Sequence, residues 1–169
     1  MWEFGAPVPI KYIVDPTLQA IPAVAVHPDG ESFVGQCMDN SLMVFYAGER
    51  VSVWVWRGVR MVRPVPCTPS HLILRPTSPA QVGINRKKTF RGHVTAGFAC
   101  QPAFSPDGKW LMSGDGEGSL WIWDWRSGRM VKKLPRCHEG GPAICAAWHP
   151  LNPSTVATCG WDGLIRLWN

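Results

Sequence analysis

Three stretches of the chain repeat one arrangement of apolar and polar positions. Each has an apolar strand, a turn holding His-Pro or Ser-Pro, a second strand, a tight turn, and a third strand ending in aromatics. The first runs AVAVHPDGESFVGQCMDNSLMVFY from Ala23 to Tyr46. The second runs FACQPAFSPDGKWLMSGDGEGSLWIWD from Phe98 to Asp124, and the third AICAAWHPLNPSTVATCGWDGLIRLWN from Ala143 to Asn169. Short alternating segments punctuated by Gly, Pro and Asp predict antiparallel hairpins. Asp-Gly at 29–30, 107–108 and 162–163 supplies residues that tolerate the positive φ of such turns.

Two of the repeats are preceded by Gly92-His93 and Cys137-His138, and two close on Trp123-Asp124 and Trp168-Asn169. Trp123 and Trp168 are 45 residues apart, and Pro106 and Pro150 are 44 apart. A period of ~40–45 residues with this punctuation is the WD-repeat signature, which predicts an all-β fold of four-stranded propeller blades. Pro28 and Pro106, however, are 78 residues apart. Taking out residues 51–81, a block of 31, brings that spacing to 47.

Composition marks the same block. It holds five prolines (64, 66, 69, 76, 79), four arginines (57, 60, 63, 75) and no acidic residue, and lacks the repeat grammar. The net charge of +5 therefore resides mostly there, since the rest of the chain has 13 basic and 12 acidic side chains. Bulk charge is a weak argument for nucleic-acid binding. The block reads as an insertion, and its ends fit a translated intron: Val51-Ser52 codons can spell a splice donor, and the Gln81 codon an acceptor. A long loop between blades is the plainer reading. Comparing cDNA with genomic sequence decides between them.

The other composition features are those of a globular chain, with 46% hydrophobic and 17% charged residues and ten tryptophans against two tyrosines. Six cysteines (37, 67, 100, 137, 145, 159) form no CxxC pair, so free thiols in a reducing compartment are expected. No apolar run approaches a membrane span and no signal peptide is evident.

Beyond the repeat grammar, particular runs are similar to the pre-mRNA-processing factor 17 family. They are WEFGAPVPIKYI (2–13), MDNSLMVF (38–45), NRKKTFRGHVTAGFACQ (85–101), FSPDG (104–108), SGDGEG (113–118), IWDW (122–125) and CGWDGLIRLWN (159–169). The resemblance covers about 138 of the 169 residues and is continuous once 51–81 is excised. It implies part of a seven-bladed propeller acting in the spliceosome around the second catalytic step, hence in the nucleus. On it, this chain holds about three blades as an open, partial propeller. Residues 1–4 end a preceding blade, 11–50 form a blade, 82–128 the next, 129–169 the C-terminal one, and Asn169 is the propeller's end.

The resemblance also implies a buried network in which a carboxylate orients an imidazole, the imidazole meets a hydroxyl, and the hydroxyl meets an indole N–H. His93, Ser113 and Trp123 occupy those positions in one blade, with Glu117 in place of the usual Asp and the network in doubt for that reason. His138, Thr158, Asp162 and Trp168 occupy them in the last. The first repeat offers Phe45 and Asp39 and is expected to lack the network. These assignments leave no Ser/His/Asp set for nucleophilic catalysis, and no GxSxG elbow is present. Cys137, His138, Cys145, His149 and Cys159 are too irregularly spaced for a zinc site. No catalytic residue, metal, cofactor or small-molecule substrate is expected.

Trp161, in a tight turn, either anchors a partner or packs on the neighbouring blade. Arg86, Lys87, Lys88 and Arg91 either form a solvated edge or touch RNA or an acidic partner. The expected function is a non-catalytic scaffold for spliceosomal proteins, with RNA as a further contact in the complex and no membrane association. Two alternatives stand beside it: direct RNA binding by the basic segment 51–91, and a truncated gene product without independent function.

Overall fold

Eleven strands, and no helix, make up the part of the computed structural model that is described, namely residue 13, residues 15–46 and residues 83–169. The expected strand end at 1–4 and the block 51–81 lie outside it. In chain order the strands are β1 Ala23–Val26, β2 Ser32–Cys37, β3 Ser41–Tyr46, β4 Gly83–Phe90, β5 Ala103–Phe104, β6 Trp110–Gly114, β7 Leu120–Asp124, β8 Met130–Leu134, β9 Ala143–Trp148, β10 Val156–Gly160 and β11 Ile165–Trp168.

The turn residues account for the hairpins. In the β1–β2 turn, Asp29 Oδ1 accepts the backbone N–H groups of Glu31 at 2.7 Å and Ser32 at 3.0 Å. Gly30 then takes the left-handed φ of 73° that a side chain resists. In the β5–β6 turn, Asp107 accepts the Ser105 hydroxyl at 2.6 Å and the Lys109 N–H at 3.1 Å. These carboxylates satisfy the turn N–H groups from within each of the two hairpins.

The hairpins extend into three antiparallel sheets, ordered β1-β2-β3-β4, β5-β6-β7-β8 and β11-β10-β9. This is the architecture of a partial WD-repeat propeller. The sheets are offset by one strand from the sequence blocks. Block 82–128 opens with β4, which pairs with β3 of the preceding sheet, and block 129–169 opens with β8, which pairs with β7. Each strand closes on the free edge that its predecessor presents, as a meander does. Residues 51–81 therefore connect two strands of one sheet, not two sheets.

The sheets stack in chain order through apolar faces. Val34, Leu42, Val44 and Phe90 of the first meet Leu111 and Trp123 of the second, with Phe104, Trp121 and Trp125 at the margin. On the opposite face of the second sheet, Met112 and Leu120 meet Ala146 and Val156 of the third, joined by Cys137 from the connecting loop. Alternation along each strand is what gives every sheet two apolar faces, one for each neighbour.

Candidate functional site

The last sheet joins its four expected polar residues in one chain of hydrogen bonds. His138 sits in the loop ahead of β9, Thr158 at the centre of β10, Asp162 in the β10–β11 turn and Trp168 at the end of β11. His138 Nδ1 lies 2.9 Å from Asp162 Oδ1, and its Nε2 lies 2.9 Å from Thr158 Oγ1. The Trp168 indole N–H donates to the same hydroxyl oxygen at 2.9 Å. A carboxylate only accepts, so Nδ1 carries the proton, Nε2 accepts from Thr158, and the hydroxyl takes the indole N–H on its other side. His138 and Thr158 are fully buried. Desolvation works to raise the Asp162 pKa. The His138 hydrogen bond, the Leu164 N–H and the Arg166 charge outweigh it and hold the carboxyl below its ordinary range.

The middle sheet brings His93, Ser113 and Trp123 together but does not link them in that way. His93 Nε2 lies 2.9 Å from Gln36 Oε1, on β2 of the preceding sheet. Gln36 is oriented by its own amide donating to the carbonyls of Cys37 and Ser41. Ser113 donates to the Gly114 carbonyl at 3.1 Å, and the Trp123 indole to the Arg91 carbonyl at 3.3 Å. The His93 ring instead packs edge-on against Trp123, with centroids 5.1 Å apart. Glu117 does not reach the imidazole; with Arg136, His138, Glu139 and Gly140 it lines a shallow hollow on the rim.

Asp115 does the work in this turn, two positions before Glu117. Its Oδ1 accepts the N–H groups of Glu117 and Ser119, and its Oδ2 the Trp121 indole at 2.7 Å. Neither Gln36 nor Asp115 is marked by the repeat grammar, and Gln36 acts across a sheet boundary that the sequence does not locate. In the first sheet, Gly35 and Phe45 stand where Thr158 and Trp168 stand in the last. A Cβ on Gly35 would lie 2.8 Å from Ile21 and 3.1 Å from the Phe45 ring, so apolar packing fills the place of the polar chain.

Cys145 and Cys159 face each other across β9 and β10, while His149 Nδ1 accepts the N–H groups of Leu151 and Asn152. Among the described residues no three metal-ligating side chains converge, and no helix is long and apolar enough to cross a membrane.

Trp161 is 67% exposed and at the same time meets Phe98, from the loop before β5, edge-on at 4.9 Å. Met38 and Val94 are exposed on the neighbouring turns of this rim. On β4, Arg86 pairs with Asp15, and Lys88 Nζ stands 3.5 Å above the Trp125 ring. Lys87 and Arg91 face solvent.

Sheet geometry, turn chemistry and the buried polar chain together define a WD-repeat protein, and the family described as "WD domain, G-beta repeat" matches residues 84–124 and 128–169. Within that class the chain is similar to pre-mRNA-processing factor 17. It is 37% identical over 169 residues to the human and mouse proteins, covering all of this chain and 24% of theirs. It is 30% identical over 165 residues to the Saccharomyces cerevisiae protein, covering 98% of this chain and 29% of that one. The chain thus spans about a quarter of the length of these relatives.

Proposed function

We propose that this chain is a non-catalytic scaffold in pre-mRNA splicing, acting in the nucleus around the second catalytic step by holding spliceosomal proteins on its loop rim. One observation carries the reading. The polar side chains that resemble catalytic sets are spent on structure: His138, Asp162 and Thr158 bond one another, and His93 bonds Gln36. Among the apolar side chains that the rim turns to solvent is Trp161, held edge-on by Phe98, with Met38 and Val94 nearby. A large, pre-positioned aromatic suits a contact anchor because little side-chain freedom is lost on binding. The similarity to pre-mRNA-processing factor 17 supplies the setting.

The test is retention of the tagged 169-residue chain on spliceosomes stalled before the second step. Retention that Trp161→Ala abolishes, with an unchanged denaturation midpoint, is the expected result. Equal recovery of wild type and variant, or recovery of neither, overturns the rim assignment. The reading of 51–81 as an insertion is supported by its place between β3 and β4, two strands that pair directly.

A further inference from the structure

The outer strands of the first two sheets carry an unusual concentration of cations. Arg86, Lys87, Lys88 and Arg91 lie on or just after β4; Arg126, Arg129, Lys132, Lys133 and Arg136 lie on or beside β8. Neither segment, 83–91 or 126–136, contains a carboxylate. Of all the lysines and arginines among the described residues, only Lys109 and Arg166 lie elsewhere. All nine except Lys88 are exposed.

The two segments form one surface. Trp125, directly after β7, stacks on Phe90 of β4 at 5.6 Å and carries Lys88 above its ring. Trp121, on β7, packs beneath Gly92 and carries Lys133 at 4.4 Å from its centroid. One strand's aromatics thus seat cations from both outer strands. The nearby carboxylates are Asp15, paired with Arg86, Asp29 and Asp124, whose charges act on Lys88, and Glu117 and Glu139, which line a hollow with Arg136. Five against nine leaves an excess of four positive charges along this edge.

We propose that this edge binds the phosphate backbone of an RNA strand without regard to base sequence. Charge number and spread favour a polyanion. The rings argue against base stacking: Trp121 is covered by Trp123 and Lys133, and Trp125 by His27, Phe90 and Lys88. Phosphates are therefore what this surface reads. An acidic peptide is the competing ligand, but the hollow that could seat a side chain touches the belt only at Arg136 and carries two carboxylates of its own, Glu117 and Glu139. The inference stands apart from the scaffold reading, since its ligand and its surface both differ.

The experiment is fluorescence anisotropy of the full chain with a labelled single-stranded RNA of mixed sequence and about 20 nucleotides, titrated across salt. Each phosphate contact contributes a slope of about −0.7 in log affinity against log salt. The triple variant Arg129→Ala, Lys132→Ala, Lys133→Ala is expected to weaken binding about tenfold and to flatten the slope by about 2. Should that variant unfold, Arg126→Ala with Arg129→Ala, in the exposed β7–β8 turn, gives the same reading with two contacts removed. An unchanged affinity and slope overturns the proposal and moves RNA binding to the arginines of 51–81. So does absence of binding at 50 mM salt, or equal competition by a poly-glutamate peptide of matched charge.

Discussion

The Thr158 hydroxyl accepts one hydrogen bond and donates another in a site closed to water, whereas the Ser113 hydroxyl only donates to a neighbouring carbonyl. Thr158→Val keeps the shape but strands both the His138 Nε2 and the Trp168 N–H, which is expected to cost about 2–3 kcal/mol. Ser113→Ala removes one local bond, about 1 kcal/mol or less. Urea denaturation of the two variants checks the contrast; equal losses would mean that the last sheet's polar chain is not cooperative. His93 makes a pH-dependent claim. Burial pushes its imidazole down to about 4, against the charges of Asp115 and Asp39, while the unfolded chain titrates near 6.5. The unfolded state therefore takes up the proton first as pH falls. The contribution of neutral His93 is complete above about 6.5 and is lost as pH drops toward 4, on the order of 3 kcal/mol. His93→Gln should have a shallower pH dependence of its urea midpoint between pH 7 and pH 4.5 than wild type, and identical profiles would refute the assignment.

At the scale of the element, turns are held by backbone approach as much as by sequence pattern. Gly118, just before β7, has φ of +80°, and a Cβ there would fall 1.9 Å from the His138 carbonyl oxygen. Gly128, in the next turn, has φ of +72° with nothing within 4 Å of that position. Gly128→Ala should cost only the left-handed strain, about 1 kcal/mol. Gly118→Ala must also displace the backbone of His138, and with it the imidazole network, for an expected loss above about 3 kcal/mol. Thermal melts of the two variants decide it, and comparable midpoints would show that the β6–β7 turn yields easily. The same turns explain what could be read beforehand. Asp-Gly and His-Pro or Ser-Pro pairs are local, so strands and hairpins were readable from spacing, whereas the polar set of the last sheet was expected only from the family resemblance. Gln36 was not readable, because its partner His93 lies 57 residues away in the loop between β4 and β5 and no motif requires an amide there. The sheet boundaries were hidden for a similar reason: β4 belongs to β3 by an edge pairing formed across residues 47–82.

At the scale of the whole molecule, the cross-strand pairs Val34–Val44, Met112–Ile122 and Ala157–Leu167 occupy the same place in the three sheets. The preceding sheet in each case uses that face to meet the next: Val34, Leu42 and Val44 are buried, as are Met112 and Leu120. In the third sheet the equivalent Ile165 and Leu167 are 80% and 75% exposed, with Cys145, Ala147, Ala157 and Cys159 on the same face by register. At the other end of the stack Val24 is 52% exposed. A face that repeats the apolar pattern of two buried ones has the same reason to be covered. In the isolated 169-residue chain the expected cover is the same face of a second copy, because the outer face of the first sheet is already filled, with Gly35 and Phe45 buried. Such contact is two-fold and closes at a dimer. Sedimentation velocity is expected to show association that grows with concentration. Ile165→Lys with Leu167→Lys should return the chain to a monomer at an unchanged urea midpoint, since neither side chain supports the fold from its solvent side. Association that persists in the double variant would assign it to the unpaired β11 edge or to the first sheet alone, and would separate strand-edge pairing from face stacking as the cause.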